Sequence, residues 1–283
     1  LPAAAAAPAS RSERKAPLPK IVTYNVNGIK ARMERLLEYL AEQQPDVVCL
    51  QELKGADETL PVREIEAAGY GAVWHGQKGF NGVAVLARGQ QPVERQRGLA
   101  GDPEDAHSRY IEAEIGDLIV ASIYLPNGNP VGTDKYPYKL KWMSRLLEYS
   151  KERLRTEEPL ILAGDFNVIP HARDVHNPAA WTEDALFKAE TRESFQSLLG
   201  LGLTDALRAV TDEPGLYTFW DYQAGAWQKN QGLRIDQSAR ALRQRAGQHQ
   251  PVGTRQHSGQ VVKAHKFDAI LRGAGLRTHH HQL

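Results

Sequence analysis

Two carboxylates stand where apolar strands end: Glu52 follows 46-DVVCLQ-51, and Asp165 closes 160-LILAG-164. A charge placed where a buried strand emerges loses hydration, so it needs a partner or an ion. Taken singly, each reads as a turn or capping carboxylate. Asn25 and Asn27, at the end of 20-KIVTY-24, turn the pair into a set of hard oxygen and amide groups drawn from several strand ends. Such a set suits Mg²⁺, with Mn²⁺ as the alternative, because Mg²⁺ takes few carboxylates and fills its shell with water and phosphate oxygens. The chemistry this implies is a metal-assisted phosphoester reaction.

The elements that must position these residues alternate along the chain. Short β-rich runs at 20–25, 46–51, 70–75, 82–87, 109–115, 118–124 and 160–166 are interleaved with helical periodicity at 32–43, 134–156 and 191–202. This predicts an α/β protein. Neighbouring strands with short breaks, at 70–87 and 109–124, predict antiparallel hairpins rather than a purely parallel, doubly wound sheet.

Around the carboxylates lie segments that together resemble the exonuclease III family of apurinic/apyrimidinic endonucleases, within the endonuclease/exonuclease/phosphatase superfamily. They are Tyr24-Asn25-Val26-Asn27-Gly28, Pro45-Asp46, Leu50-Gln51-Glu52-Leu53-Lys54, His75-Gly76-Gln77-Lys78-Gly79 with Gly82-Val83-Ala84, Tyr124-Leu125-Pro126-Asn127-Gly128, Gly164-Asp165-Phe166-Asn167, Phe219-Trp220-Asp221-Tyr222 and Gly232-Leu233-Arg234-Ile235-Asp236. They run in the family's order over residues 20–236. The resemblance implies a four-layer sandwich of two mainly antiparallel β-sheets flanked by helices, lacking its last strands, with the site at one edge.

The same resemblance implies roles. Glu52 is the principal metal ligand with Asn25 beside it, and Asp165 and Asn167 complete the metal set. Asp165 orients or deprotonates the attacking water, Asn167 hydrogen-bonds the phosphate oxygen, Tyr124 stands at the scissile phosphate as donor or phenolate, and Asp236 supports the site. Lys54, Lys78, Arg109 and Asn127 are phosphate binders that position duplex DNA. Trp220, with Phe219 and Tyr222, walls the pocket for an extruded abasic sugar. The implied activity is that of an Mg²⁺-dependent DNA repair nuclease that cuts 5′ to abasic sites and trims 3′ ends.

The chain departs from the family pattern in one place. The pattern calls for a Ser-Asp-His-Ala-Pro-like run about 30 residues after Asp236, and no Asp-His dipeptide occurs anywhere in the sequence. Composition breaks at the same point: residues 237–283 hold eight Lys and Arg against one acid, Asp268, and are rich in Gln and His. These residues read as a basic tail produced by a frameshift, with no packed element except a stretch of possible regular structure at 261–271. Two alternatives follow: a catalytically impaired DNA-binding remnant that uses the tail as a polyanion anchor, or another phosphodiesterase of the superfamily.

Composition narrows the remaining classes. At 41% hydrophobic and 24% charged residues, with a net charge of +1, the sequence is of ordinary globular type. No run approaches the length of a membrane span. The single cysteine, Cys49, precludes an intramolecular disulfide and fits a reducing, cytoplasmic setting. Residues 1–19 read as a disordered Ala/Pro-rich leader, residues 20–236 as one catalytic domain, and the protein as a monomer.

Overall fold

The computed structural model describes residues 19–221 and 225–241. The leader up to residue 18, Tyr222 and the tail from residue 242, including the 261–271 stretch, lie outside the described residues. Two mixed sheets form the centre. The first has the order β1-β2-β4-β3, from Ile21–Asn25 (β1), Val47–Gln51 (β2), Tyr70–His75 (β3) and Val83–Arg88 (β4). The second has the order β5-β6-β7-β8-β12-β9, from Val93–Arg97 (β5), Tyr110–Ile115 (β6), Leu118–Tyr124 (β7), Leu160–Asp165 (β8), Thr204–Asp205 (β9) and Asp236–Ala241 (β12). Phe219–Trp220 (β10) and Gly232–Leu233 (β11) make a small separate ladder. The pairs β1/β2 and β7/β8 are parallel, and the other pairs are antiparallel.

Strand alternation explains the layering. Val47 and Cys49 on β2 and Val83, Val85 and Ala87 on β4 face inward, where they meet Val120, Ile161 and Ala163 from the second sheet. The intervening residues, Val48 and Leu50 on β2 and Ala84 and Leu86 on β4, face outward and pack against Ile29, Leu36 and Leu40 of helix α1 (Ile29–Gln43) and Ile65 of α2 (Val62–Ala67). On the other side, Ile119, Ala121, Ile123, Leu160 and Leu162 carry Trp142, Met143 and Leu146 of α3 (Lys135–Leu154) and Phe195 and Leu198 of α4 (Ala189–Leu199). Each such burial contributes about 1.5–3 kcal/mol. The result is the expected four layers: helices, sheet, sheet, helices.

The same parity places the polar site. The inward residues Thr23, Asn25, Gln51 and Tyr124 continue the apolar inner faces toward one end of the sandwich. There Gln51 donates to Ser122 Oγ at 3.0 Å and accepts from Thr23 at 3.2 Å. Asp165 ends β8 on the same face. Thus the interior turns from hydrocarbon to polar groups within one or two residues of the strand ends.

β12 corrects the expectation that regular structure stops at Asp236. It pairs along its full length with β8, from Asp236 opposite Asp165 to Ala241 opposite Leu160, and also with β9. Gln237, assigned from composition to the tail, is buried and donates to the Val168 carbonyl at 3.2 Å. Arg234 anchors the turn into this strand. It is 1% exposed, bonded to Asp174 and Asp205 at 2.8 Å each and to the Gln237 side chain.

Gly164 shows how closely β7 and β8 approach: a Cβ there would stand 1.9 Å from the Ile123 carbonyl oxygen. Gly164→Ala is therefore expected to destabilise the fold by about 1–3 kcal/mol, the usual cost of forced overpacking. Urea unfolding checks this, and an unchanged midpoint would contradict it.

Candidate active site

The ends of β1, β2, β7 and β8 and the start of β12 converge on one cavity of about 430 Å³. Asn25, at the end of β1, spans the carboxylates: its Nδ2 donates to Glu52 Oε1 at 2.8 Å and to Asp165 Oδ2 at 3.1 Å, while its Oδ1 accepts from the Asn27 backbone at 3.1 Å. Asn25 therefore turns its nitrogen, not its oxygen, toward both acids, and in this arrangement it orients the expected ligands. Glu52 follows β2 with a positive φ of 54°, and Asn167 has φ 47°. Left-handed backbone at non-glycine residues is uncommon and clusters where a site dictates it.

Glu52 is crowded with donors. Tyr124 O–H reaches Oε1 at 2.9 Å, and Lys54 Nζ lies 2.9 Å from Oε2 while also donating to Asn27 Oδ1. Burial pushes its carboxyl up, but hydrogen bonds from Asn25, Lys54 and Tyr124 together with the Lys54 charge outweigh that and hold it below its ordinary value. Burial, and then the charges of Glu52 and Asp165, raise the Tyr124 phenol. Of its two expected states, the protonated donor is the one found here.

Asp165 behaves in the opposite way. Burial lifts its carboxyl to about 6, against the Asn25 amide and the Asn167 N–H at 3.0 Å that favour the anion. Its register partner across the ladder is Asp236, which is raised well above the ordinary range first by burial and then by the Asp165 charge. Asp236 Oδ1 is buried without a hydrogen-bond partner. Two adjacent interior carboxylates cannot both ionise cheaply without a cation.

Unsatisfied, acidic, hard oxygen at this place fits a divalent cation. Among the described residues no three His, Cys, Asp or Glu side chains enclose a metal by themselves. That suits an ion that completes its shell with water and phosphate. Glu52 and Asp165, which the Asn25 amide bridges, are the carboxylates whose oxygens would hold it, with Asp236 beside Asp165 in the ladder. Asn167 is otherwise engaged: its Nδ2 donates to the Leu125 carbonyl at 2.9 Å, and its Oδ1 accepts from Asn127 at 3.1 Å.

The expected site residues do not all gather here. Asn25, Glu52, Tyr124, Asn127, Asp165, Asn167 and Asp236 line the cavity. Lys54 reaches it through Glu52. Arg109 lies over the Tyr124 ring, 4.7 Å from its centroid, and donates to the Tyr124 carbonyl. Lys78 stands exposed on the loop between β3 and β4 and does not line the cavity. Trp220 is displaced from its expected role: it is 4% exposed and packs edge-on against Trp227 at 4.7 Å, while its neighbour Phe219 takes the cavity wall. Phe219 joins Trp181, Leu186, Leu233 and Ile235 in an apolar wall facing the carboxylates. Leu233 and Ile235 are legible in retrospect, since they alternate with the buried Arg234 in 232-GLRID-236.

Fold and site together define a phosphoester hydrolase scaffold of strand-end carboxylates and amides between two sheets. The chain belongs to the Endonuclease/Exonuclease/phosphatase family, whose model matches residues 22–238. It is 35% identical over 229 residues to exodeoxyribonuclease III of Haemophilus influenzae, covering 77% of this chain and 85% of that protein. An AP endonuclease from Archaeoglobus fulgidus superposes with a TM-score of 0.75 at 34% identity, covering 79% of this chain and 86% of that one. A 3′ phosphatase from Neisseria, bound to a product DNA hairpin, superposes with a TM-score of 0.76 at 36% identity over 79% of this chain and 87% of that one. The match to residue 238 agrees with β12 extending the domain past Asp236.

The raised Asp165 carboxyl sets a sign for stability. Its folded value of about 6 lies above the ordinary 3.8 of an exposed carboxyl, so its contribution is favourable below about pH 4 and is lost as pH rises through 6. Asp165→Asn, compared with wild type in EDTA, should raise the melting temperature at pH 7.5 and make little difference at pH 4. A variant less stable than wild type at pH 7.5 would contradict this.

Proposed function

We propose that the protein is an Mg²⁺-dependent DNA repair nuclease that hydrolyses the phosphodiester 5′ to abasic sites in duplex DNA and trims 3′ ends, with Mn²⁺ as an alternative ion. The observation that carries the reading is the two-sided cavity. One side offers Asn25, Glu52, Tyr124, Asp165, Asn167 and Asp236, and the other offers Phe219, Trp181, Leu186, Leu233 and Ile235. A scissile phosphate needs the first, and a sugar without its base fits against the second, where no base edge has to be read. The names of the relatives above point the same way. In this reading the protein works as a monomer in the cytoplasm.

The chain's own groups supply the steps. Asp165, with its carboxyl near 6 and its Oδ1 fixed by the Asn167 N–H, takes a proton from the attacking water. A bound Mg²⁺ supplies neutralisation of the phosphate charge and of the paired carboxylates. The second N–H of each of the Asn167 and Asn127 amides, and the Tyr124 O–H turned from Glu52, donate to phosphate oxygens as charge builds on them. Water attacks phosphorus, the bond to the 3′ oxygen breaks, and the products are a 3′-hydroxyl and a 5′-phosphate on the abasic residue. Arg109, Lys54 and Lys78 hold flanking phosphates without reading sequence.

A second reading, the catalytically impaired DNA binder, is favoured by one observation: Asp236 Oδ1 has no partner, in a chain that lacks the family's Asp-His run. Incision of a duplex with a single abasic site separates the two. The nuclease reading predicts cutting with Mg²⁺ that EDTA abolishes and that Glu52→Ala and Asp165→Ala each reduce by about 10²–10⁴-fold. Salt-sensitive binding without Mg²⁺-dependent cutting would support the binder.

A further inference from the structure

Lys139, on α3, is fully buried at 0% exposure, beneath the floor of the cavity. It lies within the buried stripe Tyr136, Lys139, Trp142, Met143 and Leu146, whose spacing marks the inward face of α3. A hydrocarbon side chain at that position would complete the stripe without burying a charge. Instead, Nζ passes between two loops and donates to the main-chain carbonyls of Asn127, at 3.0 Å, and Asn167, at 2.5 Å.

Those loops begin where β7 and β8 part. The Leu125 N–H to Asp165 carbonyl bond, at 2.9 Å, carries their pairing one step past the strand ends. Beyond it, the backbone turns through the left-handed conformation at Gly128 (φ 90°) and Asn167 (φ 47°). The Asn127 and Asn167 carbonyls then meet the ammonium, and their side chains meet each other at 3.1 Å above it. Gly128 is fitted to the lysine stem: a Cβ there would stand 2.7 Å from Lys139 Cδ.

Burying an ammonium costs several kcal/mol unless its donors are satisfied. Here the compensation comes from the two backbone carbonyls whose residues present amides to the cavity. We propose that Lys139 is a positioning residue for the reaction: its Nζ clamps the Asn127 and Asn167 loops together through their carbonyls and so sets where both amides meet the phosphate. This rests on the nuclease reading for its effect on rate, but the clamp itself can be read without activity.

The test uses Lys139→Met, which keeps the stem and removes the donors, and Lys139→Arg, which keeps donors and charge. On the abasic duplex with Mg²⁺, Lys139→Met should lower kcat by about 10–100-fold with KM within about threefold, as a misplaced positioning group does. Lys139→Arg should recover most of that loss. In an Asn127→Ala/Asn167→Ala background, Lys139→Met should cost no more than about threefold further, because the amides it positions are already gone. In ¹⁵N spectra, the side-chain amide signals of Asn127 and Asn167 should shift in Lys139→Met while that of the distant Asn81 stays in place.

Unchanged kcat with only a lower melting temperature, losses that multiply fully with the Asn127→Ala/Asn167→Ala pair, or failure of both lysine variants to fold would overturn the proposal. A wild-type chain without incision would instead defeat the nuclease reading. The amide signals would then decide the clamp alone, and unshifted signals would overturn it.

Discussion

Asp165 and Asp236 face each other across adjacent antiparallel strands, and keeping two carboxylates together in an interior is the constraint on which the site depends. The ladder gives them no choice of distance, because β8 and β12 pair residue for residue from this point onward. Burial raises both, and proximity raises Asp236 further. Glu52 lies on the other side of the bridging Asn25 amide with its own donors, including the Lys54 ammonium, and is pushed the opposite way. Three carboxylates in one cavity thus divide into Glu52, held below its ordinary value, and a pair in which burial outweighs the groups that favour ionisation, the Lys139 charge included. This difference in environment lets similar side chains take different tasks.

The surrounding architecture is what makes the arrangement affordable. The inner faces of both sheets are hydrocarbon over most of their length and turn polar only at Thr23, Gln51 and Ser122, which satisfy one another across the gap. Buried polar groups that are fully paired fix one geometry rather than several. Arg234 does the same for the opposite wall, joining Asp174, Asp205 and Gln237 behind Leu233 and Ile235. The cavity therefore has a rigid polar half and a rigid apolar half, each backed by its own buried network.

Much of this was legible in the sequence, for identifiable reasons. Asn25, Glu52 and Asp165 end long apolar runs, where hydrophobic alternation is strongest, and their convergence follows once the runs are strands. Phe219 and Trp220 were harder: in a strand of two residues no periodicity shows which side chain faces the cavity, and the larger ring went to the interior. β12 was hidden because Gln237, Ser238 and Arg240 read as solvent-exposed polar residues. They form a strand because β8 and β9 supply partners on both sides. Lys139 reads in the sequence as one lysine among several on α3, although its spacing from Trp142, Met143 and Leu146 marks it as interior.

The proposed nuclease needs a divalent cation at Glu52 and Asp165, and direct titration tests for it. Calorimetric addition of Mg²⁺, and separately Mn²⁺, to the metal-free protein should show saturable binding at one site, with proton release near pH 6 as Asp165 ionises, and Glu52→Gln should weaken it. The absence of any binding heat or proton release for a folded chain, with either ion, would contradict the account.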